Sequence, residues 1–388
     1  MCSPDRARRY DRALLITNKA ANHAHTGILA GLHHGLRARG IESRLFIVEQ
    51  DGRDLGPFVA AVEQAKATAP DRTFLLDLNG KMRFALTKEL KKVSALIDHP
   101  FAHFEPLFDA PADALIGYLD RSHREILDAV GLPQAKAFLP HGGPNPDPDP
   151  LPLDERPLPA LFVGRLETSP RIADLRAGLA GNPDIVRDIV LETAEAAAAR
   201  VPLYTGFAAA CRARGIGPDA FDLAGMAEAL HRASDWAEAQ HRHRVLTGLG
   251  GIEIHHVGAV ARDFFAAAPD NVVFHGARPF ATCVEMMGRA RAVLNSVTVF
   301  PDGSHERVWY AMAAGAAVVT DPSAFVAETF TDGENILVWP DGDLAGLAAT
   351  LADAGRLQAI AAAAAPVYAA HHTWTHRAAV IDRALNGG

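Results

Sequence analysis

The sequence predicts an α/β protein made of two Rossmann-like, doubly wound domains, with a helical insertion in the second. Three observations carry this. Short apolar runs alternate with amphipathic stretches twice along the chain, the pattern of parallel strands joined by helices. A proline-dense segment, HGGPNPDPDPLPLDERPLP (141–159), separates the two series and can continue neither helix nor strand. The chain has 388 residues, a length that normally divides into two domains.

The first series opens with the strand ALLIT (13–17), followed by the loop NKAANHAHTG (18–27). GILAGLHHGLRARG (27–40) has helical spacing, with Gly40 as its stop. IESRLFIVE is the second strand, FVAAVEQAKATAP a helix and TFLLDLN the third strand. VSALID (93–98) is a fourth strand that runs into His99 and Pro100; ALIGYL is a fifth, ahead of a helix over 122–130, and KAFLP closes the series. The second series starts with PALFVG (159–164) and the loop GRLETSPR. The Ala-rich stretch 183–247 has little β signal and reads as the helical insertion. Alternation resumes with IEIHHVG, NVVFHG, a helix across CVEMMGRA, RAVLNSV, the segment GSHERVWYAMAAGAAVVTD (303–321), NILVWP and three closing helices. The domains predicted are therefore 1–150 and 151–372, with a last helix, 373–388, that crosses back to the first domain.

Composition narrows the function. Hydrophobic residues make up 49% and charged residues 22%, as in an ordinary globular protein with a large core. A formal net charge of −8 argues against a nucleic-acid binder, which needs clustered Lys and Arg. Three cysteines, Cys2, Cys211 and Cys283, lack metal spacing and suggest a reducing cytoplasm. The apolar run behind the basic N-terminus is too short for a secretory core, and no stretch reaches the eighteen residues of a membrane span. A peripheral membrane contact stays open.

The segment 303–321 sets three polar groups at the mouth of an alanine-rich helix. Ser304 suits an N-cap and 308–314 a helix, so His305, Glu306 and Arg307 fall in the first turn. Free amides and the positive end of the helix dipole attract a phosphate there; a solvated helix start is the plainer reading. Gly27, at the end of the first strand, would let a ligand approach the backbone. His23 and His25 have no third ligand at suitable spacing, so no metal is predicted and they read as hydrogen-bonding groups. The DPDPD run of the linker reads as a spacer rather than a metal motif.

The order NVVFHGARPF, then ARAVLNSVTVFPDGSHERVWYAMAAGAAVVTDPSAFVAETFTDGENILVW, resembles the donor-binding domain of group 1 glycosyltransferases of the GT-B fold, and within them the CgeB-like, spore-maturation-type branch. The resemblance is specific over 271–340, weaker over 159–166 and architectural in the first half. It implies two domains facing a cleft, a nucleotide-diphosphate-sugar donor held without a cofactor, and an acceptor hydroxyl on an unknown glycan, lipid or protein. The family's two-glutamate pattern falls on Asp302 and Tyr310, which leaves Glu306 as the glutamate of the segment, with Asp302 assisting. Arg165 stands where the family often carries a diphosphate-binding arginine; the family's lysine falls on Pro170, one position before Arg171. Either arginine could equally make a surface salt bridge. His99 lies where related enzymes place a histidine that touches the donor sugar; it could equally cap a loop.

The function implied is sugar transfer, retaining and metal-independent. Two alternatives stand beside it: a nucleotide-sugar 2-epimerase, and a non-catalytic sugar-nucleotide-binding protein, which the tyrosine at position 310 favours.

Overall fold

The computed structural model describes residues 9–19, 24–49, 51–82 and 87–387. The chain forms two compact units, Met1–Pro144 with His372–Gly388, and Asn145–His371.

The first unit alternates β1 (Arg12–Asn18), α1 (His25–Ala38), β2 (Glu42–Val48), α2 (Gly56–Thr68), β3 (Thr73–Leu78), β4 (Lys91–Ala95), α3 (Phe104–Phe108), β5 (Leu115–Tyr118), α4 (His123–Ala129) and β6 (Ala135–Phe138). All six strands pair in parallel in the order β2-β1-β3-β4-β5-β6. Interior strands covered on both faces read as unbroken apolar runs, and every residue of β3 is buried. Leu14, Ile16 and Leu75 pack against Phe58, Ala61 and Val62 of α2. β4 begins at Lys91, earlier than its apolar run. The reason is that Lys92 is only 5% exposed, donates from Nζ to the Met82 carbonyl (2.7 Å) and lies 3.5 Å from the buried Asp77 carboxylate.

The second unit contains β7 (Leu158–Val163), α5 (Ile172–Gly178), α6 (Asp184–Ala198), α7 (Leu203–Ala213), α8 (Leu223–Gly248), β8 (Ile254–Val257), β9 (Val272–Phe274), α9 (Phe280–Gly288), β10 (Ala290–Leu294), α10 (Glu306–Ala313), β11 (Ala317–Thr320), α11 (Ala324–Ala327), β12 (Leu337–Val338), α12 (Ala345–Ala352) and α13 (Ala354–His371). Its sheet is again parallel throughout, in the order β12-β11-β10-β7-β8-β9. Both units are Rossmann-like. In the second, chain direction across the sheet reverses between β7 and β10, the switch point at whose carboxyl side ligands bind in such sheets.

Several bonds tie the proline-rich segment to the second unit, among them that from Leu153 N to Gln358 Oε1 (2.9 Å). Arg156, 1% exposed, donates to the carbonyls of Leu151, Ala290 and Ala314, each at 2.9 Å. These bonds fix the segment's end against β10 and the turn after α10. Helices α6, α7 and α8 form the insertion; the 26-residue α8 is capped by Asp222, whose carboxylate accepts from Gly225 N at 2.6 Å.

The last helix, α14 (Trp374–Asn386), packs on α1 within the first unit. Trp374 N donates to Gly143 O (2.9 Å), and Arg377 Nε donates to His141 O (2.8 Å). Arg39 of α1 pairs with Asp382 at 2.7 Å, while the Asn386 amide receives from Tyr10 N and returns a bond to Tyr10 O. A Cβ on Gly31 would fall inside the Trp374 ring, so glycine is what lets the two helices meet.

Candidate functional site

The carboxyl edge of the second sheet gathers the loops after β7, β10 and β11 around the start of α10. The cap of α10 differs from the expected one. The helix starts at Glu306, and His305, with φ −99° and ψ 151°, is its N-cap residue. Ser304 is 5% exposed, and its Oγ accepts from the Trp309 indole at 2.9 Å. The hydroxyl is engaged by a buried indole five residues on, which anchors the helix start from inside.

His305, Glu306 and Arg307 keep their place at this entrance. His305 Nδ1 lies 2.6 Å from Glu306 Oε2. Burial, and then the nearby Arg307 charge, hold the His305 imidazole below its usual pKa against the pull of Glu306, so it is neutral at pH 7. Arg307 turns toward the sheet. It is 8% exposed, donates from Nε to Asn295 Oδ1 (3.2 Å), and donates from Nη1 to the Val163 carbonyl. Asn295 in turn donates to Thr320 Oγ1 (2.9 Å), and its carbonyl accepts from the Trp339 indole (2.7 Å). One arginine thus locks the ends of β7 and β10 to α10, while Val308 N, in the first turn, donates to His305 O (3.2 Å).

The insertion reaches the same edge, which sequence reasoning missed. Arg242 of α8 donates from Nη1 to Arg165 O (3.0 Å) and from Nη2 to Ser296 O (3.4 Å), and pairs with Glu238 one turn back. His241 Nε2 lies 2.8 Å from Asp321 Oδ1; both side chains are 5% exposed. Asp321 also accepts from Val297 N (2.6 Å) and has Arg200 at 3.8 Å. Burial pushes the Asp321 carboxyl up, but the hydrogen bond and charge of His241 and the Val297 amide outweigh it and hold the group below its ordinary range. His256 of β8 contacts Gly164 O at 2.8 Å, and Gly258, at φ +154°, lets its backbone pass close to that carbonyl. The sequence signal for α8 was weak, because an Arg and a His on a polar helix face look like solvated charges.

The remaining candidates sit as follows. Asp302 is half-buried in the turn before α10. Tyr310 is buried, edge-on to Phe280 with ring centroids 5.2 Å apart. Arg165 is 81% exposed and 3.6 Å from Glu167. Arg171 pairs with Asp174 (2.8 Å) and Asp263 (3.7 Å) beside a cavity of about 510 Å³ lined by His243, Arg244 and Phe264. In the first unit, Gly27 lies in the opening turn of α1 rather than in the preceding loop, because the helix already begins at His25. His23 lies outside the described residues. His99 is 7% exposed and caps the short turn Pro100–His103, its Nδ1 accepting from Phe101 N at 3.5 Å. Its ring sits 4.3 Å from that of His123, and burial, helped by the His103 charge, lowers its pKa to about 3. The neighbouring Asp98, half exposed, accepts from Asn79 Nδ2 (2.9 Å) and contacts His103 Nε2 (3.2 Å). Asn79 itself is fully buried in the left-handed region, at φ +59°. Among the described residues, no group of three or more His, Cys, Asp or Glu is placed to hold a metal ion, and no helix is long and apolar enough to cross a membrane.

Residues 232–383 match the glycosyl transferase-like family. No curated protein matches the chain. Among solved structures, the chain is similar to Alr3699/HepE of Anabaena, solved in complex with UDP and glucose, at 13% identity over 97% of this chain and 99% of that one, with a TM-score of 0.49. It is similar to a glycosyltransferase from Rickettsia africae at 10% identity over 98% and 99% of the two chains, TM-score 0.49. It is also similar to sucrose-phosphate synthase from Thermosynechococcus elongatus at 14% identity over 96% and 98%, TM-score 0.48.

Proposed function

We propose that the chain is a GT-B glycosyltransferase of the CgeB-like branch, of hexosyltransferase type. It moves a sugar from a nucleotide-diphosphate donor to an acceptor hydroxyl in the cytoplasm, with retention and without a metal. The observation that carries the reading is the entrance of α10, where a neutral His305, the Glu306 carboxylate and first-turn amides stand at the switch point of the second sheet. The family match over 232–383 contains that entrance. In this reading the amides receive the diphosphate, whose developing charge in the transition state they stabilise without reorganising. Glu306, held by His305 and assisted by Asp302, accepts from hydroxyls of the donor, and Arg165 and Arg171 add positive charge at the rim. His99 supports the first unit's edge from beneath. The leaving phosphate takes the acceptor proton, so no second carboxylate is needed.

Glu306→Ala tests the assignment. Turnover of the best donor, found by screening UDP-, GDP-, ADP- and dTDP-sugars by thermal shift, should fall by about 1.5–3 kcal/mol of transition-state stabilisation. Unchanged turnover returns Glu306 to the role of a solvated helix start. One observation favours a second reading: Tyr310, where the family's second glutamate would stand, is buried against Phe280, as a non-catalytic sugar-nucleotide-binding protein would tolerate. Donor binding without turnover is its signature. A 2-epimerase would instead interconvert the free nucleotide sugar.

A further inference from the structure

The α6–α8 insertion ends on the candidate site, where Arg242 bridges two of its loops. It leaves the polar face of α8 to hold the carbonyls of Arg165 and Ser296 at the switch point. Its guanidinium is 13% exposed, and its charge is felt at the buried Arg307. Two guanidiniums from different elements thus act on one sheet edge, Arg307 on the Val163 carbonyl and Arg242 on that of Arg165 two residues on. Like charges brought together with little water cost free energy unless an anion lies between or beside them.

The protein supplies part of that anion. Glu238 pairs with Arg242, and Glu306 is taken up with His305. A second, independent observation points to a missing partner. The hydroxyls of Ser296 (1% exposed) and Thr298 (3%), on the loop whose carbonyl Arg242 holds, have no hydrogen-bond partner among the described residues. The Arg242 Nε is likewise buried and without one. Buried polar groups are nearly always satisfied, so three such groups on one loop and the arginine that clamps it mark a place where a ligand or ordered water completes the bonding.

We infer that the insertion is part of the donor site, with Arg242 as its phosphate-binding cation beside Arg307, and Ser296 and Thr298 as hydroxyl donors to the same phosphates. This rests on the nucleotide-donor reading and adds to it where specificity for a diphosphate comes from. Arginine suits the role, since its five N–H groups can keep the two carbonyls and Glu238 and still leave the Nε–H for an oxyanion. Two adjacent cations discriminate a phosphate-bearing ligand from a neutral nucleoside, and a diphosphate, with two phosphoryl groups, can offer oxygens to both at once.

Calorimetric titration of the full chain with UDP, GDP, ADP and dTDP identifies the nucleotide that binds; the matching monophosphate and nucleoside are then titrated too. For Arg242→Gln, the diphosphate affinity should fall ten- to a hundredfold while the nucleoside affinity stays within about twofold, so that the preference for diphosphate over nucleoside collapses. Arg242→Lys should recover part of it. Arg232→Gln, which removes an exposed cation from the same helix, should change nothing. Equal loss of nucleoside and diphosphate would mean that Arg242 only holds the loops, and wild-type affinity for the diphosphate would mean that it touches no ligand; either overturns the inference while leaving the donor reading in place. If wild-type protein binds none of the four diphosphates, the donor reading fails and the inference falls with it.

Discussion

The carboxyl edges of the two sheets are built on opposite electrostatic plans. At the second edge, Arg307, Arg242, Glu238, Glu306, Asp321 and His241 meet in largely buried contacts, with Asp321 held ionised despite its burial. At the first, the buried imidazoles of His99 and His123 are pushed by burial far below the usual histidine pKa and are neutral, while of its carboxylates Asp120 is buried and accepts from Ser122 N (2.8 Å), and the ionised Asp98 is half exposed. Burying paired charges contributes little net stability over an apolar core. Concentrating them at a switch point is therefore better explained by an anionic ligand than by folding.

The largest effect should come from leaving the buried carboxylate of the second edge without its nearest partner. His241→Ala removes the group 2.8 Å from the buried Asp321 and leaves that carboxylate with the Val297 amide and a more distant Arg200. A loss of about 3–5 kcal/mol in urea unfolding is expected. Because the folded Asp321 pKa lies below the unfolded value, its share of stability is present above the ordinary carboxylate range and is lost as pH falls through the folded value. A loss under 1 kcal/mol would show that the pair is incidental and weaken the contrast.

Much of the frame was legible because parallel strands buried on both faces must be apolar throughout: LLIT, FLLDL, ALFV and AVL all lie in strands. The α10 entrance was legible from the short phrase SHER. Other features were hidden because they depend on distant partners. Ser304 looks like a cap, but an indole from within the helix takes its hydroxyl. Lys91 and Lys92 look like a loop, yet Lys92 finds Asp77 and the Met82 carbonyl in the core. The resemblance singles out His99 for the donor sugar, and the packing of Phe101 and His123 around it buries the ring. Arg242 meets Ser296 across 54 positions of sequence, and no local pattern encodes that pairing.

A smaller effect, confined to acid, is expected at the first edge. His99 has a folded pKa of about 3 against about 6.5 unfolded, so both states are neutral above pH 6.5 and the imidazole costs nothing there. As pH falls from 6.5 toward 3, the unfolded chain takes up a proton that the folded one refuses, and stability is lost over that window. His99→Gln removes that titration. Its stability at pH 7 should be lower through lost ring packing, but its decline from pH 6.5 to 4 should be flatter than that of wild type by on the order of 1–3 kcal/mol. Parallel pH profiles for the two proteins would mean that His99 is hydrated and titrates normally, and the neutral-edge half of the comparison would fail.

The smallest effect should come from the rim, where charge is exposed rather than buried. Arg171 and Asp174 form an ion pair 2.8 Å long, shorter than several contacts at the buried edge, but their side chains are 56% and 42% exposed. Water already solvates both groups, salt screens their attraction, and ordering two side chains in one geometry offsets what remains. Distance alone would rank this pair with His241 and Asp321; burial separates them, because removing one partner at the rim leaves a carboxylate that water satisfies at once. The urea midpoint of Arg171→Ala should therefore coincide with that of wild type at both low and high salt. A clear shift that disappears in salt would show that Asp174 and Asp263 depend on Arg171 to hold α5 against the loop after β8, and would move this rim pair into the same class as the buried charges of the second edge.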